Sequence, residues 1–209
     1  MLRAIAAAQP GPVEEGTVGA GTGTVAFGWK GGIGVASRRL PRALDGYTVG
    51  VLVQANFGGV LQMAGLPVGQ ALGQYYLADV VEPGAADGSI MIVIATDAPL
   101  SDRNLARLAR RGLAGLARTG AAFSDGSGDY ALAFSTAESV RRTPERRAQL
   151  ATVVELPNAR VSPLFEAAIE ATEEAILNAL CMATTLTGHR GVTVEALPLE
   201  RVAALVRAR

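Results

Sequence analysis

An α/β fold is the class this sequence predicts, and three features predict it. Tyr47 to Ala55, Ser89 to Ala95 and Asp129 to Ser135 are short, rich in apolar residues and bounded by turn formers, as strands are. Two longer segments beyond residue 100 repeat apolar residues at helical spacing behind recognisable start signals. Between these lie clusters drawn from the chain's 25 glycines, which mark turns and close backbone approaches, because strand-like segments separate the clusters. The order is β-rich first and helical later, with no internal repeat and no long linker, so the 209 residues read as a single domain.

Residues 2–8 read as the last turns of a helix stopped by Pro10-Gly11. Thr24 to Trp29 and Gly32 to Ser37 read as short strands around Lys30-Gly31, and Tyr47 to Ala55 as a stronger one. Ser89 to Ala95 is apolar enough to be buried on both faces. Ser101 sits where an N-cap belongs, with Asp102 in the first turn of the helix that follows. On that helix Leu105, Leu108, Gly112 and Leu116 share one face, and Arg103, Arg107, Arg110 and Arg118 spread over the others as a solvated surface. Ser162-Pro163 gives the longest helix a cap and a first-turn proline, and its pattern runs through Leu180 to Leu186 and ends at Gly188. Its Glu166, Glu170, Glu173 and Glu174 read as solvated positions or subunit contacts, and Cys181 as core. A short helix closes the chain from Leu199, and 83–88 is the one internal loop rich in small, permissive residues.

Lys plus Arg and Asp plus Glu both total 19, so no charge excess recommends nucleic acid or an anionic membrane as a partner. A single cysteine forms no internal disulfide and fits a reducing compartment. No apolar run approaches the ~20 residues that span a bilayer, and Met1 to Ala8 is too weak for a secretory signal. A cytoplasmic protein is expected.

The chemistry is suggested by one junction. Asp87-Gly88-Ser89 runs straight into Ile90-Met91-Ile92-Val93-Ile94, placing a serine after a flexible glycine at the mouth of a buried-looking strand. Cleavage between Gly88 and Ser89 would give Ser89 both a hydroxyl nucleophile and a free α-amine. What is missing narrows the choice. His189, the only histidine, lies in the turn Gly188-His189-Arg190-Gly191, so a Ser-His-Asp triad lacks its base. One His and one Cys provide no ligand-spaced cluster, so no metal or other cofactor is expected. An α-amine on the nucleophile, with an unperturbed pKa of about 7.7–8.0, can supply the base instead. Gly19-Ala20-Gly21-Thr22-Gly23 departs from the phosphate-binding glycine pattern and reads as a tight turn in an active-site wall. Asp97, before Ala98-Pro99, reads as a structural turn residue.

Several blocks, collinear over nearly the whole chain, carry a family resemblance. They are Gly11-Pro-Val-Glu-Glu-Gly-Thr-Val-Gly-Ala-Gly-Thr-Gly, Lys30-Gly-Gly-Ile-Gly-Val-Ala-Ser, Tyr47-Thr-Val-Gly-Val-Leu-Val-Gln-Ala-Asn, Gly88-Ser-Ile-Met-Ile-Val-Ile-Ala-Thr-Asp-Ala-Pro-Leu, Gly126-Ser-Gly-Asp, Ala133-Phe-Ser-Thr and Glu170-Ala-Thr-Glu-Glu-Ala-Ile-Leu-Asn-Ala-Leu. The chain resembles the self-processing serine aminopeptidases of peptidase family S58, the L-aminopeptidase/D-esterase and β-peptidyl aminopeptidase group. The resemblance implies an αββα sandwich of the N-terminal-nucleophile type. It also implies self-cleavage before Ser89 into residues 1–88 and 89–209, which stay together and form a homo-oligomer of cleaved subunits. Small peptides, amides or esters would be the substrates. Ser89 matches the nucleophile. Asn56 matches a side-chain amide of the oxyanion hole, where a neutral donor suits developing negative charge. Ser127 and Asp129 match a serine–carboxylate pair that relays or orients protons, the carboxylate being Glu in some relatives.

The match departs from the family in two places. Met1 falls where relatives are already deep inside their domain, so the expectation is a chain lacking the N-terminal portion. That portion ordinarily supplies several strands, an oxyanion-hole tyrosine and the acidic residue that holds the substrate's amino group; Tyr47, Tyr75, Tyr76 and Tyr130 do not match that tyrosine. After Asn56 the chain reads Phe57-Gly58-Gly59-Val60, where relatives commonly carry a more polar, Arg-containing sequence. Two alternatives to an aminopeptidase stay open: an inactive structural fragment of the family, and an acyltransferase resembling ornithine acetyltransferase.

Overall fold

Alternation along the strands decides the architecture. The computed structural model describes residues 2–78 and 88–208. In chain order, α1 (Leu2–Ala6) leads through a 3-10 turn at Gly19–Gly23 to a hairpin of β1 (Val25–Ala26) and β2 (Trp29–Lys30). Then come β3 (Gly32–Arg39), β4 (Thr48–Asn56), α2 (Val68–Leu72), β5 (Ser89–Thr96), α3 (Asp102–Arg118) and β6 (Gly128–Ser135). The chain continues with α4 (Pro144–Arg147), α5 (Ser162–Cys181), a hairpin of β7 (Leu186–Thr187) and β8 (Thr193–Val194), and α6 (Leu199–Arg207). The loop expected over 83–88 lies outside the described residues apart from Gly88.

The main sheet has the order β3-β4-β5-β6. The pairs β3/β4 and β4/β5 are antiparallel, whereas β5 and β6 are parallel and need α3 as a crossover. Val49, Val51, Val53 and Ala55 of β4 and Ile90, Ile92 and Ile94 of β5 are buried against α3 and α5. The opposite face carries Met91, Tyr130, Leu132 and Phe134, all exposed. The expectation that β5 is buried on both faces therefore fails for the described residues: helices cover one face only. Together these residues form one helical layer on one sheet, half of an αββα arrangement.

The helical layer sits close to the sheet because the contact residues are small. A Cβ on Gly34 would stand 1.9 Å from the Ala175 carbonyl oxygen and 2.6 Å from the Ala179 nitrogen, so glycine lets α5 rest on β3. The arginine face of α3 is more than solvated surface. Arg107 and Arg111 stack on the Phe165 ring at 5.0 and 4.3 Å. Arg118 pairs with Glu166 and Glu173, and Arg38 of β3 pairs with Glu170 and Glu174. All four helix glutamates thus have partners on neighbouring elements, although half-exposed pairs of this kind add little, about 0–1 kcal/mol each.

Two helix ends differ from expectation. Ser101 caps α3 as predicted, accepting from the Asn104 amide, but Val161 takes the cap position of α5 and Ser162 is its first helical residue. That helix also stops at Cys181, short of Gly188. Thr184 instead exchanges hydrogen bonds with Thr17 (2.9 and 3.1 Å), and Thr185 bonds Glu195 and the Ala196 amide. Threonines offer the backbone this alternative to the helix ladder, and Leu186–Thr187 joins β7.

Lys30 ends β2 rather than standing in a connector, and it is 1% exposed. Its Nζ donates to the carbonyls of Gly21 (2.6 Å), Thr24 (2.8 Å) and Gly31 (2.8 Å), clamping the 19–24 turn against the sheet. Burial pushes the pKa of this ammonium down.

Gly34→Ala is expected to cost roughly 3 kcal/mol in urea denaturation, an overpacking penalty. Gly50→Ala in the same sheet, where a Cβ meets no described atom within 4 Å, stays within about 0.5 kcal/mol. Lys30→Met is expected to lose about 2–3 kcal/mol, because three buried carbonyls lose a charged donor and, among the described residues, the Gly31 carbonyl loses its one donor. Because the folded state holds the Lys30 proton less tightly than the unfolded state, the native chain gains stability as pH rises from the lowered folded pKa toward the ordinary lysine value. The Met variant lacks this gain, so its deficit should widen with pH; a deficit that narrows would contradict the burial of a charged lysine.

Candidate active site

The strand ends set the site. β4 ends at Asn56, before the turn-forming Gly58-Gly59, while β5 begins at Ser89 and β6 at Gly128. Asn56 pairs with Ser89 across the antiparallel ladder, and Ser89 pairs with Gly128 across the parallel one. The three residues form one transverse row. Strand alternation then directs the Asn56 and Ser89 side chains to the face that α3 and α5 leave bare, since Ala55 and Ile90 take the buried face.

An open cleft of about 350 Å³ lies beside this row. Ala20, Gly23 and Thr24 of the Lys30-clamped turn form one wall, and Gln54, Asn56, Ser89 and Met91 form the other. The Gly19–Gly23 segment is therefore the cleft-wall turn that the sequence suggested. The Oδ1 atom of Asn56 accepts from the Val25 amide at 2.9 Å. That bond fixes which end of the carboxamide is the acceptor, leaving Nδ2 as the donor end. The Ser89 Oγ accepts from the Gly128 N–H at 3.1 Å. Gly88 also has a steric reason to be glycine: a Cβ there would stand 2.3 Å from the Asn56 carbonyl oxygen.

Ser127 and Asp129 flank this row. Ser127 Oγ donates to Asp129 Oδ1 at 2.8 Å. Asp129 pairs in register with Ile90, so its side chain leaves the strand on the opposite face from that of Ser89. Among the described residues the hydrogen bonds join Ser127 to Asp129 and Ser89 to Gly128, and do not join one pair to the other. The hydroxyl–carboxylate pair is a neighbour of Ser89, one register step away.

The remaining candidates fall elsewhere. His189 is exposed in the turn between β7 and β8. Asp97 accepts from the Thr48 amide at 2.7 Å and has a structural part at the far end of the sheet. Burial pushes the Cys181 thiol up in pKa, away from nucleophilic use. Among the described residues no group of three or more His, Cys, Asp or Glu could hold a metal ion, and no helix is long and apolar enough to cross a membrane. Sequence reasoning missed Gln54, Met91 and Thr24 as lining residues. The period of two was available for the first pair, because Gln54 and Met91 stand two residues from Asn56 and Ser89 along their strands.

Comparison with known proteins gives this geometry a context. Residues 1–194 match the profile of peptidase family S58. The β-peptidyl aminopeptidase BapA of Sphingosinicella microcystinivorans is 46% identical over 220 residues, covering 99% of this chain and 54% of that protein. The solved β-aminopeptidase of Burkholderia sp. superposes with a TM-score of 0.81 at 43% identity, covering 99% of this chain and 57% of the other. The L-aminopeptidase D-Ala-esterase/amidase of Ochrobactrum anthropi, described as a prototype serine aminopeptidase and a variant of the Ntn-hydrolase fold, gives a TM-score of 0.82 at 38% identity, covering 95% of this chain and 53% of its own. The chain thus spans about half the length of the relatives it matches. Its mixed α/β fold is that of Ntn-type serine aminopeptidases, and the chain belongs to peptidase family S58.

Proposed function

We propose that this chain carries the nucleophile of a self-processing serine aminopeptidase. Cleavage between Gly88 and Ser89 would leave residues 1–88 and 89–209 associated and expose the α-amine of Ser89. The amine takes the Oγ proton as Ser89 attacks an amide or ester carbonyl of a small peptide, amide or ester, and delivers it to the leaving amine or alcohol. Water then hydrolyses the acyl-enzyme. Asn56 Nδ2 donates to the oxyanion, and the Ser127–Asp129 pair orients protons nearby.

The observation that carries this proposal is the row itself: Asn56 opposite Ser89, both side chains on the cleft face, at the start of a strand preceded by glycine. Association of the two pieces is supported by the core. β3 and β4 belong to the first piece and β5, β6, α3 and α5 to the second, yet β4 and β5 are ladder partners and α5 packs on both β3 and β4. The exposed Tyr130, Leu132 and Phe134 support a working enzyme in which further protein covers the bare face, including a homo-oligomer of cleaved subunits.

The test uses the protein that carries this chain, assayed on N-terminal aminoacyl amides, β-peptides and acetyl donors. Ser89→Ala is expected to abolish hydrolysis, and activity surviving that change would overturn the assignment of the nucleophile. Asn56→Ala is expected to lower kcat by about 10²–10³ with KM nearly unchanged, as loss of an oxyanion donor does. Turnover of acetyl donors alone would favour the acyltransferase.

A further inference from the structure

We propose that the backbone N–H of Gly128 is the oxyanion donor for cleavage of the Gly88–Ser89 bond. This rests on the self-processing reading above and assigns that step a donor separate from Asn56. The Gly128 nitrogen lies 3.1 Å from Ser89 Oγ and 3.3 Å from the Gly88 carbonyl oxygen. One donor therefore serves both the attacking oxygen and the oxygen on which charge will develop.

The direction of the Gly88 carbonyl excludes Asn56 from this role. Its oxygen bonds toward β6, where Gly128 stands, whereas Asn56 belongs to β4 on the other side of β5. On the β4 side Gly88 presents its α-carbon, close against the Asn56 carbonyl. Asn56 can meet a substrate in the cleft, but the scissile carbonyl of the chain itself points away from it.

The step balances without any group beyond water. Ser89 Oγ bonds to the Gly88 carbonyl carbon, closing a five-membered ring whose external oxygen is the former carbonyl oxygen, now negative. The hydroxyl proton passes to the Ser89 nitrogen, the Gly88 C–N bond breaks, and an ester joins Gly88 to Ser89 Oγ. Water hydrolyses that ester to the Gly88 carboxylate and a free Ser89 hydroxyl beside its new α-amine. As charge builds on the Gly88 oxygen, the shared N–H swings toward it and releases the Oγ lone pair it had held. The 3.3 Å contact shortens into an oxyanion bond in the same motion.

The donor is a backbone group, so an amide-to-ester change removes it cleanly. Glycolic acid is placed at position 128 in the protein carrying this chain, with leucic acid at position 132 of the same strand as the control. Cleavage of the position-128 ester protein is expected to slow by about 100-fold, the usual cost of a lost oxyanion donor, while the control cleaves at the parent rate. Hydroxylamine, which intercepts the ester intermediate, should accelerate the parent and leave the position-128 variant slow, because its defect precedes the ester. An unchanged rate at position 128, an equal slowing in the control, or rescue by hydroxylamine would each overturn the assignment while self-processing stands. A parent protein that never cleaves would overturn both.

Discussion

Asn56, Ser89 and Gly128 share one row because β4 and β5 pair antiparallel at Asn56–Ser89, while β5 and β6 pair parallel at Ser89–Gly128. A slip of β5 by one residue would turn Ser89 toward the helices and bring Ile90 to the cleft. Packing forbids that slip. Val49, Val51, Val53, Ile90, Ile92 and Ile94 all project into the layer filled by α3 and α5, and β5 cannot shift without exposing its isoleucines. The register that buries the core is thus the register that assembles the site, and the stability of one maintains the geometry of the other.

The parallel pairing of β5 and β6 has a chemical consequence. It directs the Gly88 carbonyl at the Gly128 N–H, while the antiparallel pairing on the other edge brings the Asn56 side chain alongside Ser89. Two neighbours of opposite sense thereby approach the same serine from its two sides. The cleft wall is held separately by Lys30, whose buried ammonium ties two carbonyls of the glycine-rich turn, Gly21 and Thr24, to that of Gly31 beside the sheet. Charge is spent there on positioning, since the clamp presents no donor to the cleft.

Most of the sheet was legible in the sequence, and so was the candidate nucleophile. Tyr47 to Ala55 and Asp129 to Ser135 announce themselves by strand composition, and Gly88 before an apolar strand singles out Ser89. The bare face of β5 was not legible, because Met91 and Val93 are as apolar as the isoleucines that alternate with them, Ile90, Ile92 and Ile94. The end of α5 was hidden for another reason: it depends on Thr184 meeting Thr17, 167 residues away. Lys30 reads as a surface residue until the 19–24 turn folds back to set the Gly21 and Thr24 carbonyls beside that of Gly31. The Gly128 N–H has no residue-type signature, being a backbone group known only by what lies opposite it.

The proposed self-processing requires the folded protein to break its own Gly88–Ser89 bond. Intact-mass measurement combined with N-terminal sequencing, followed over days on the purified protein that carries this chain, tests that claim directly. A species beginning Ser-Ile-Met-Ile is expected to accumulate as the uncut chain disappears, and to remain with its partner piece through gel filtration. A folded protein that keeps residues 88 and 89 joined, or that is cut elsewhere, would contradict it.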